Sequence, residues 1–166
     1  MSMVIWPVFL LLLLSLQTSW FSFFPGADST PDFLLLFVVF QAMYGGSNKG
    51  AISGFFVGLV QDALAPTTFG FHIVTRVLIG YFTGETKERV FKDNFQGYAV
   101  FAVVASILVK AAHALLLLIV LRSGSGWFID HFLGTISYIF INLIVSWPMW
   151  LVLQKISAWL AKRSSY

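Results

Sequence analysis

A few ionisable side chains stand inside apolar segments of this sequence, where a bilayer or a protein core would penalise them. Asp62 follows a series of glycines spaced four residues apart, and His72 and Arg76 come after the next short turn. Lys110 and His113 lie three residues apart within a long apolar stretch. Such groups could support acid–base catalysis, proton transfer, or polar contacts between neighbouring helices.

The sequence lacks the patterns that usually carry catalysis. It has no phosphate-binding glycine loop, no HExxH and no GxSxG, and its His, Asp and Glu residues show no metal-ligand spacing. It also has no cysteine, which excludes disulfides, thiolate metal sites and cysteine nucleophiles. We therefore predict a protein that is not an enzyme and uses no cofactor and no metal.

The composition indicates a membrane protein. Hydrophobic residues make up 58% of the 166 residues and charged residues 10%, and the mean hydropathy is +0.87. Soluble domains have about 45–50% and about 25%, so a bilayer is the expected solvent for this chain. The net charge of +3 is not arranged as a nucleic-acid-binding stripe, so we expect no nucleic acid partner.

Six apolar segments predict an all-α polytopic membrane protein with six transmembrane helices in a single domain, 1–166. The segments are about 3–24, 32–44, 50–65, 69–84, 96–121 and 132–154, followed by a short cytoplasmic tail, 155–166. The middle three are short, but short helices can cross where neighbours shield them or the bilayer thins. Turns are expected at 24–32, 45–50 and 65–70, a charged loop at 85–94 and a flexible loop at 122–130. Thr30 and Pro31 are expected to start the second helix.

The basic residues predict the orientation of these helices. If both termini are cytoplasmic, the outside carries only Arg122, with Asp28, Asp32 and Asp130 nearby. The positive-inside rule favours this arrangement and an even number of crossings. The tail is expected to lie along the cytoplasmic leaflet or to be a frayed helix end. The inside would carry Lys49, Lys87, Arg89, Lys92, Lys155, Lys162 and Arg163.

Gly50, Gly54 and Gly58 share one helix face, because residues four apart lie above one another. Such a face lets another backbone approach closely, which is a main source of attraction between helices in lipid. Spacing alone leaves two interpretations open. The face packs against another helix of this chain, or it is a groove for a helix of a partner protein.

Asp62 needs a partner, a water-filled cleft or a proton. An unpaired carboxylate at the centre of a membrane helix costs at least about 2.5–3.5 kcal/mol. The short turn after Asp62 places His72 at nearly the same depth and Arg76 about one helical turn deeper, so we expect Asp62 to contact one of them. Partner binding, conformational coupling and proton or ion transport are alternatives, although no chain of acids crosses the membrane.

Lys110 and His113 must face protein or water, and we predict that they make polar contacts between helices. Asn142 on the last helix is a candidate partner, together with Ser137 and Ser146. Gln41 is a further amide whose hydrogen bonds must be satisfied. Together these groups could line a polar cavity for a small molecule.

The stretch "GGSNKGAISGFFVGLVQDALAPTTFGFHIVTRVLIGY", residues 45–81, resembles the MreD family of bacterial rod shape-determining proteins. The matching features are Gly50, Gly54-Phe55, Gly58-Leu59, Asp62 and then Phe69-Gly70 after a short turn. The preceding "PDFLLLFVVF", the chain length and the six-segment plan also fit. The family assigns these motif residues no catalytic role.

The resemblance implies a non-catalytic scaffold of the elongasome in the bacterial inner membrane, which supports rod shape and lateral peptidoglycan synthesis. The implied partners are MreC by direct contact and, in the same assembly, RodA, its transpeptidase partner and MreB. Membrane lipid is a further partner, and self-association is open.

The resemblance also implies a fold similar to the substrate-binding (S) subunit of energy-coupling-factor vitamin transporters. A vitamin-binding S subunit is therefore the alternative function. Such a subunit is expected to build its pocket from outer loops, and the short "APTTFG" loop argues against capture.

Overall fold

The computed structural model describes residues 2–23, 30–64, 69–90, 94–121 and 127–164. These residues form five helices and contain no strand, which confirms the all-α prediction for the described part of the chain. The helices are α1 (Ser2–Phe23), α2 (Phe33–Leu64), α3 (Phe71–Val90), α4 (Phe95–Leu121) and α5 (Trp127–Ser164).

Helix α2 contains both the second and the third predicted segments, with a kink at Gly46 (φ 83°, ψ 180°). We call residues 33–45 the first arm and residues 47–64 the second arm. The predicted turn at 45–50 is wrong in extent, because the second arm is helical from Ser47 onward. A single residue suffices, since glycine adopts positive φ at no steric cost.

The two arms run antiparallel. Arg76 on α3 shows this, since it donates hydrogen bonds both to Asp32, just before the first arm, and to Gln61, near the end of the second arm. The second arm packs on α3, also antiparallel. Its residue Ser47 lies against Gly84, whereas Gly58 lies against His72 and Ile73.

Three further boundaries differ from the prediction. Helix α3 continues through residues 85–90, which were expected to be a loop, because "ETKERV" is rich in good helix formers. Helix α5 starts at Trp127 and runs without a break to Ser164, so residues 155–164 extend it. Helix α4 begins at Phe95, and Asn94 caps it by accepting the Gly97 N–H at 2.9 Å. The turns predicted at 24–29, 65–68 and 122–126 lie outside the described residues.

The first arm of α2 is the centre of the bundle. Residues 33–40 are all apolar and all buried, as expected for a helical segment that is hydrophobic on every face. Phe37 packs against Trp6 and Phe9 of α1, with ring centroids 5.6 and 6.2 Å apart. On the other side, Tyr98 of α4 donates to the Leu36 carbonyl at 3.0 Å.

Asp32, rather than the predicted Thr30 and Pro31, starts this central arm. Its Oδ1 accepts the Leu35 N–H at 2.8 Å, and its carbonyl accepts the Leu36 N–H at 3.1 Å. This is the usual N-cap arrangement, in which a side-chain oxygen replaces the missing intrahelical acceptor.

Two stretches of the described helices are long and apolar enough to cross a bilayer, judged by length and composition: Phe95–Ile119 and Asp130–Arg163. A shorter apolar stretch, Val8–Ser19, lies in α1. The predicted six crossings therefore stay a prediction. Apolar side chains such as Leu108 and Phe140 project outward, where lipid would solvate them.

Candidate functional site

The glycine face of the second arm is filled by the backbone of α3. A methyl group added at Gly50 would overlap the Gly80 carbonyl, and one at Gly54 would overlap the Arg76 carbonyl. The close approach leaves no room for another helix on this face. Of the two interpretations left open by the sequence, the structure shows packing within the chain.

Helix α3 contributes glycines of its own to the same contact. Gly80 and Gly84 lie against Gly50 and the Gly46–Ser47 backbone, respectively. Our sequence analysis did not single them out, although their four-residue spacing was a signal that could have identified them.

Asp62 caps the start of α3. Its carboxylate accepts the N–H groups of Gly70, His72 and Ile73, each at 3.0 Å, and lies 2.8 Å from His72 Nδ1. Of the two partners expected for Asp62, His72 contacts it, whereas Arg76 binds Asp32 instead. The backbone donors explain the acid's position, because a helix N-terminus favours negative charge.

Arg76 is 1% exposed and binds Asp32 instead of Asp62. Its Nη2 donates to Asp32 Oδ2, and its Nε donates to Gln61 Oε1 at 2.9 Å. The third nitrogen, Nη1, is buried and has no hydrogen-bond partner among the described residues. The sequence predicts that Asp32 lies towards the outer side of the membrane. Within the protein its side chain is buried, at 6% exposure.

Asp32 connects α3 to α4 and α5 through further hydrogen bonds. Tyr138 donates to Asp32 Oδ2 at 2.7 Å, and the Asp32 N–H donates to Asn142 Oδ1 at 2.7 Å. Asn142 in turn donates to Ser106 Oγ at 3.0 Å. We call Asp32, Arg76, Ser106, Tyr138 and Asn142 the buried polar network. Asn142 therefore serves Asp32 and Ser106 rather than Lys110 and His113, while Ser146 donates to the Leu143 carbonyl of its own helix at 2.6 Å.

Lys110 and His113 lie next to this network and contact aromatic and imidazole rings of α3 and α5. Lys110 Nζ lies 4.9 Å from the centroid of the Tyr138 ring, a cation–π contact. His113 stacks on His131 with ring centroids 5.7 Å apart and meets the edge of Phe71 at 6.0 Å. These ring contacts join α4 to α3 and α5, and the predicted polar contacts of Lys110 and His113 stay a prediction.

A cavity of about 320 Å³ opens beside the network, and its walls come from all five helices and the three residues before α2. Acid, base and amide groups converge on it, although no group of three His, Cys, Asp or Glu in the described residues could hold a metal ion. We call it the polar cavity; its lining includes Gln17, Asp32, His72, Arg76, Lys110 and Tyr138.

A second and larger concavity of about 780 Å³ lies between α1, both arms of α2 and the last turns of α5. Gln41, expected to be a buried amide, is half-buried in its wall. We call it the apolar groove; its lining includes Trp6, Leu10, Phe37, Ile52, Phe56 and Leu160.

Four members of the polar site were not predicted from the sequence: Asp32, Gln61, Ser106 and Tyr138. Asp32 was read as a loop residue, because its partners lie 44 to 110 residues away and no local spacing relates them. Only the position of an acid directly before an apolar helix pointed to a cap.

Comparison with protein families gives a match over nearly the whole chain. The family model described as rod shape-determining protein MreD matches residues 1–158. Comparisons with curated proteins and with solved structures returned no significant match. The matching family comprises inner-membrane proteins with a role in rod-shape determination, and its description names no reaction. Because the match covers far more than half of the residues, this chain belongs to the MreD family of rod shape-determining proteins.

Proposed function

We propose that this protein is a non-catalytic scaffold of the elongasome, which binds MreC and so supports lateral peptidoglycan synthesis. The observation that carries the proposal is the family match over residues 1–158. RodA, its transpeptidase partner and MreB are proposed members of the same assembly. The glycine contacts and the buried polar network suit a scaffold, because both hold helices of this chain to one another.

We propose six crossings with both termini in the cytoplasm. The two antiparallel arms of α2 supply the second and third crossings, and Gly46 makes the reversal. Two basic residues lie near Gly46. Lys87 donates to the Met43 carbonyl, and Lys155 follows Gln154, which donates to Tyr44 Oη at 2.8 Å. This grouping supports the orientation that the positive-inside rule favours.

We propose the apolar groove as the docking site for the transmembrane helix of MreC. Helices in lipid associate through van der Waals packing, and a concave surface offers a partner more contacts than a convex one. Ile52 and Phe56 on the second arm are 58% and 57% exposed, so their side chains are available there. The glycine face contributes indirectly, because it holds the second arm against α3.

The test is site-specific photo-crosslinking in native membranes, followed by affinity purification and mass spectrometry. A photo-reactive amino acid replaces Phe56 in the groove or, as a matched control, Leu118, which is 54% exposed on α4. We expect an MreC adduct from position 56 and none from position 118.

The outcomes separate the docking site from the function. MreC crosslinked only from position 118 would contradict the groove but keep the scaffold. Mild general crosslinking that recovers no MreC would contradict the scaffold. Recovery of a transporter membrane subunit with its ATPases would favour the vitamin-binding alternative.

A further inference from the structure

The polar cavity combines features of a ligand site that helix packing does not require. At about 320 Å³ it falls at the lower end of the size range of small-molecule pockets, about 300–1,000 Å³. Its walls carry two cations, Arg76 and Lys110, and one carboxylate, Asp32. Arg76 and Asp32 form an ion pair, and Lys110, which lies against the Tyr138 ring, is a second cation in the lining.

Two buried hydrogen-bonding atoms in this lining have no hydrogen-bond partner among the described residues. Arg76 Nη1 is a donor without an acceptor, and Gln17 Oε1 on α1 is an acceptor without a donor. Leaving a buried polar group unsatisfied costs about 1–3 kcal/mol, and more when the group is charged. The rest of the Arg76 side chain is fixed by Asp32 and Gln61. Because Nη1 itself is buried, an incoming group reaches it when a neighbouring side chain moves aside.

The second acid near the cavity does not cancel this preference. The Asp62 side chain is fully buried, and it is already satisfied by three backbone N–H groups and by His72. His72, which contacts Asp62, belongs to the lining of the cavity, whereas Asp62 does not. The field at Arg76 Nη1 therefore remains favourable to an anion.

We infer that the polar cavity binds an oxyanion, a phosphate or carboxylate group, that accepts a hydrogen bond from Arg76 Nη1. A hydroxyl or amine on the same ligand would satisfy Gln17 Oε1. Guanidinium groups recognise such oxygens by strong charge-assisted hydrogen bonds. This inference concerns a different surface from the apolar groove and does not depend on MreC binding.

The anion can come from a phospholipid headgroup or from water. The cavity lies beside the end of α1 and the beginning of α3, whereas α4 continues from Lys110 to Leu121, on the order of 16 Å further. Helix α4 therefore extends beyond the cavity. Both a lipid entering between helices and a soluble anion share the chemistry that Arg76 Nη1 requires.

The experiment is a melting-temperature titration of the full chain in a maltoside detergent, which carries no phosphate. One arm adds phosphatidylglycerol, and the other adds sodium phosphate against sodium chloride of equal ionic strength. A ligand that binds only the folded state raises the melting temperature. We expect a rise of a few degrees in at least one arm, and that arm identifies the source.

The variants test whether Arg76 makes the contact. Arg76→Gln should raise the apparent Kd about tenfold or more, as expected for the loss of one charge-assisted hydrogen bond. Lys155→Gln, which removes an exposed positive charge far from the cavity, should leave Kd unchanged. If Arg76→Gln does not fold, Lys110→Gln and Gln17→Leu replace it, and each should weaken binding several-fold.

Two results would overturn the inference. A melting temperature that does not change in either arm would mean that water alone fills the cavity. An unaltered Kd in Arg76→Gln, or in both replacement variants, would place the bound anion elsewhere on the protein.

Discussion

Asp62 and Asp32 are both buried carboxylates that contact α3, but different parts of the chain satisfy them. Asp62 is held by groups 8 to 11 residues further along, almost all of them backbone N–H donors at the start of one helix. Asp32 Oδ1 also accepts a local N–H, that of Leu35, but its Oδ2 is held by side chains 44 and 106 residues away, on α3 and α5. The first site is closed by its neighbours in sequence, whereas the second requires the whole bundle.

The difference extends to what remains unsatisfied. The Asp62 carboxylate has four partners and does not line the polar cavity. At the Asp32 site, Arg76 Nη1 has no partner in the part of the chain that the structure describes, and both Asp32 and Arg76 line that cavity. Spare hydrogen-bonding capacity is therefore found where distant elements meet, and this is where a ligand can add contacts.

Arg76→Gln should have the largest effect on stability, because it leaves Asp32 as a buried carboxylate without its cation. We expect a loss of about 3–5 kcal/mol in the free energy of unfolding, as for other broken buried ion pairs. Reversible unfolding in mixed detergent micelles measures it. Arg163→Gln is the matched control, because Arg163 is exposed and stacks on Trp159, and its loss should cost less than about 1 kcal/mol.

The double variant Asp32→Asn, Arg76→Gln isolates the charge. Without a stranded carboxylate, it should be more stable than Arg76→Gln alone. If the double variant were the less stable of the two, the pair would not be the reason for the loss.

Asp62→Asn tests the locally closed site and should have a smaller effect. Asparagine has one acceptor oxygen where the carboxylate has two, so at least one of the three N–H donors loses its partner. The expected cost is about 1.5–3 kcal/mol, measured by the same unfolding experiment. Asp130→Asn, at an exposed position near the start of α5, should change stability by less than about 0.5 kcal/mol. A cost for Asp62→Asn as large as that for Arg76→Gln would remove the distinction between the two sites.

This contrast explains what the sequence could predict. The glycine series and the short turn fix the depth of His72 relative to Asp62, so that contact follows from local spacing. The same reasoning offered Arg76 as the alternative partner of Asp62, because nothing local shows that Asp32 folds back to α3. The reversal was predicted as a turn at 45–50, but its confinement to Gly46 was not, since a glycine pair is compatible with a tight bend or a longer turn.

Gly54→Ala probes the close packing that supports the local site, and it should have the smallest effect of the three. The added methyl group would meet the Arg76 carbonyl, which is backbone and cannot rotate away, so the second arm and α3 must separate slightly. Overpacking of this kind costs about 1–3 kcal/mol, whereas alanine gains about 1 kcal/mol over glycine in a helix. We therefore expect a net loss of about 0–2 kcal/mol in the free energy of unfolding. Ala63→Leu adds more bulk to an exposed position of the same arm and should be nearly neutral. A stabilising Gly54→Ala would show that helix propensity outweighs the backbone contact, and the glycine face would then need another explanation.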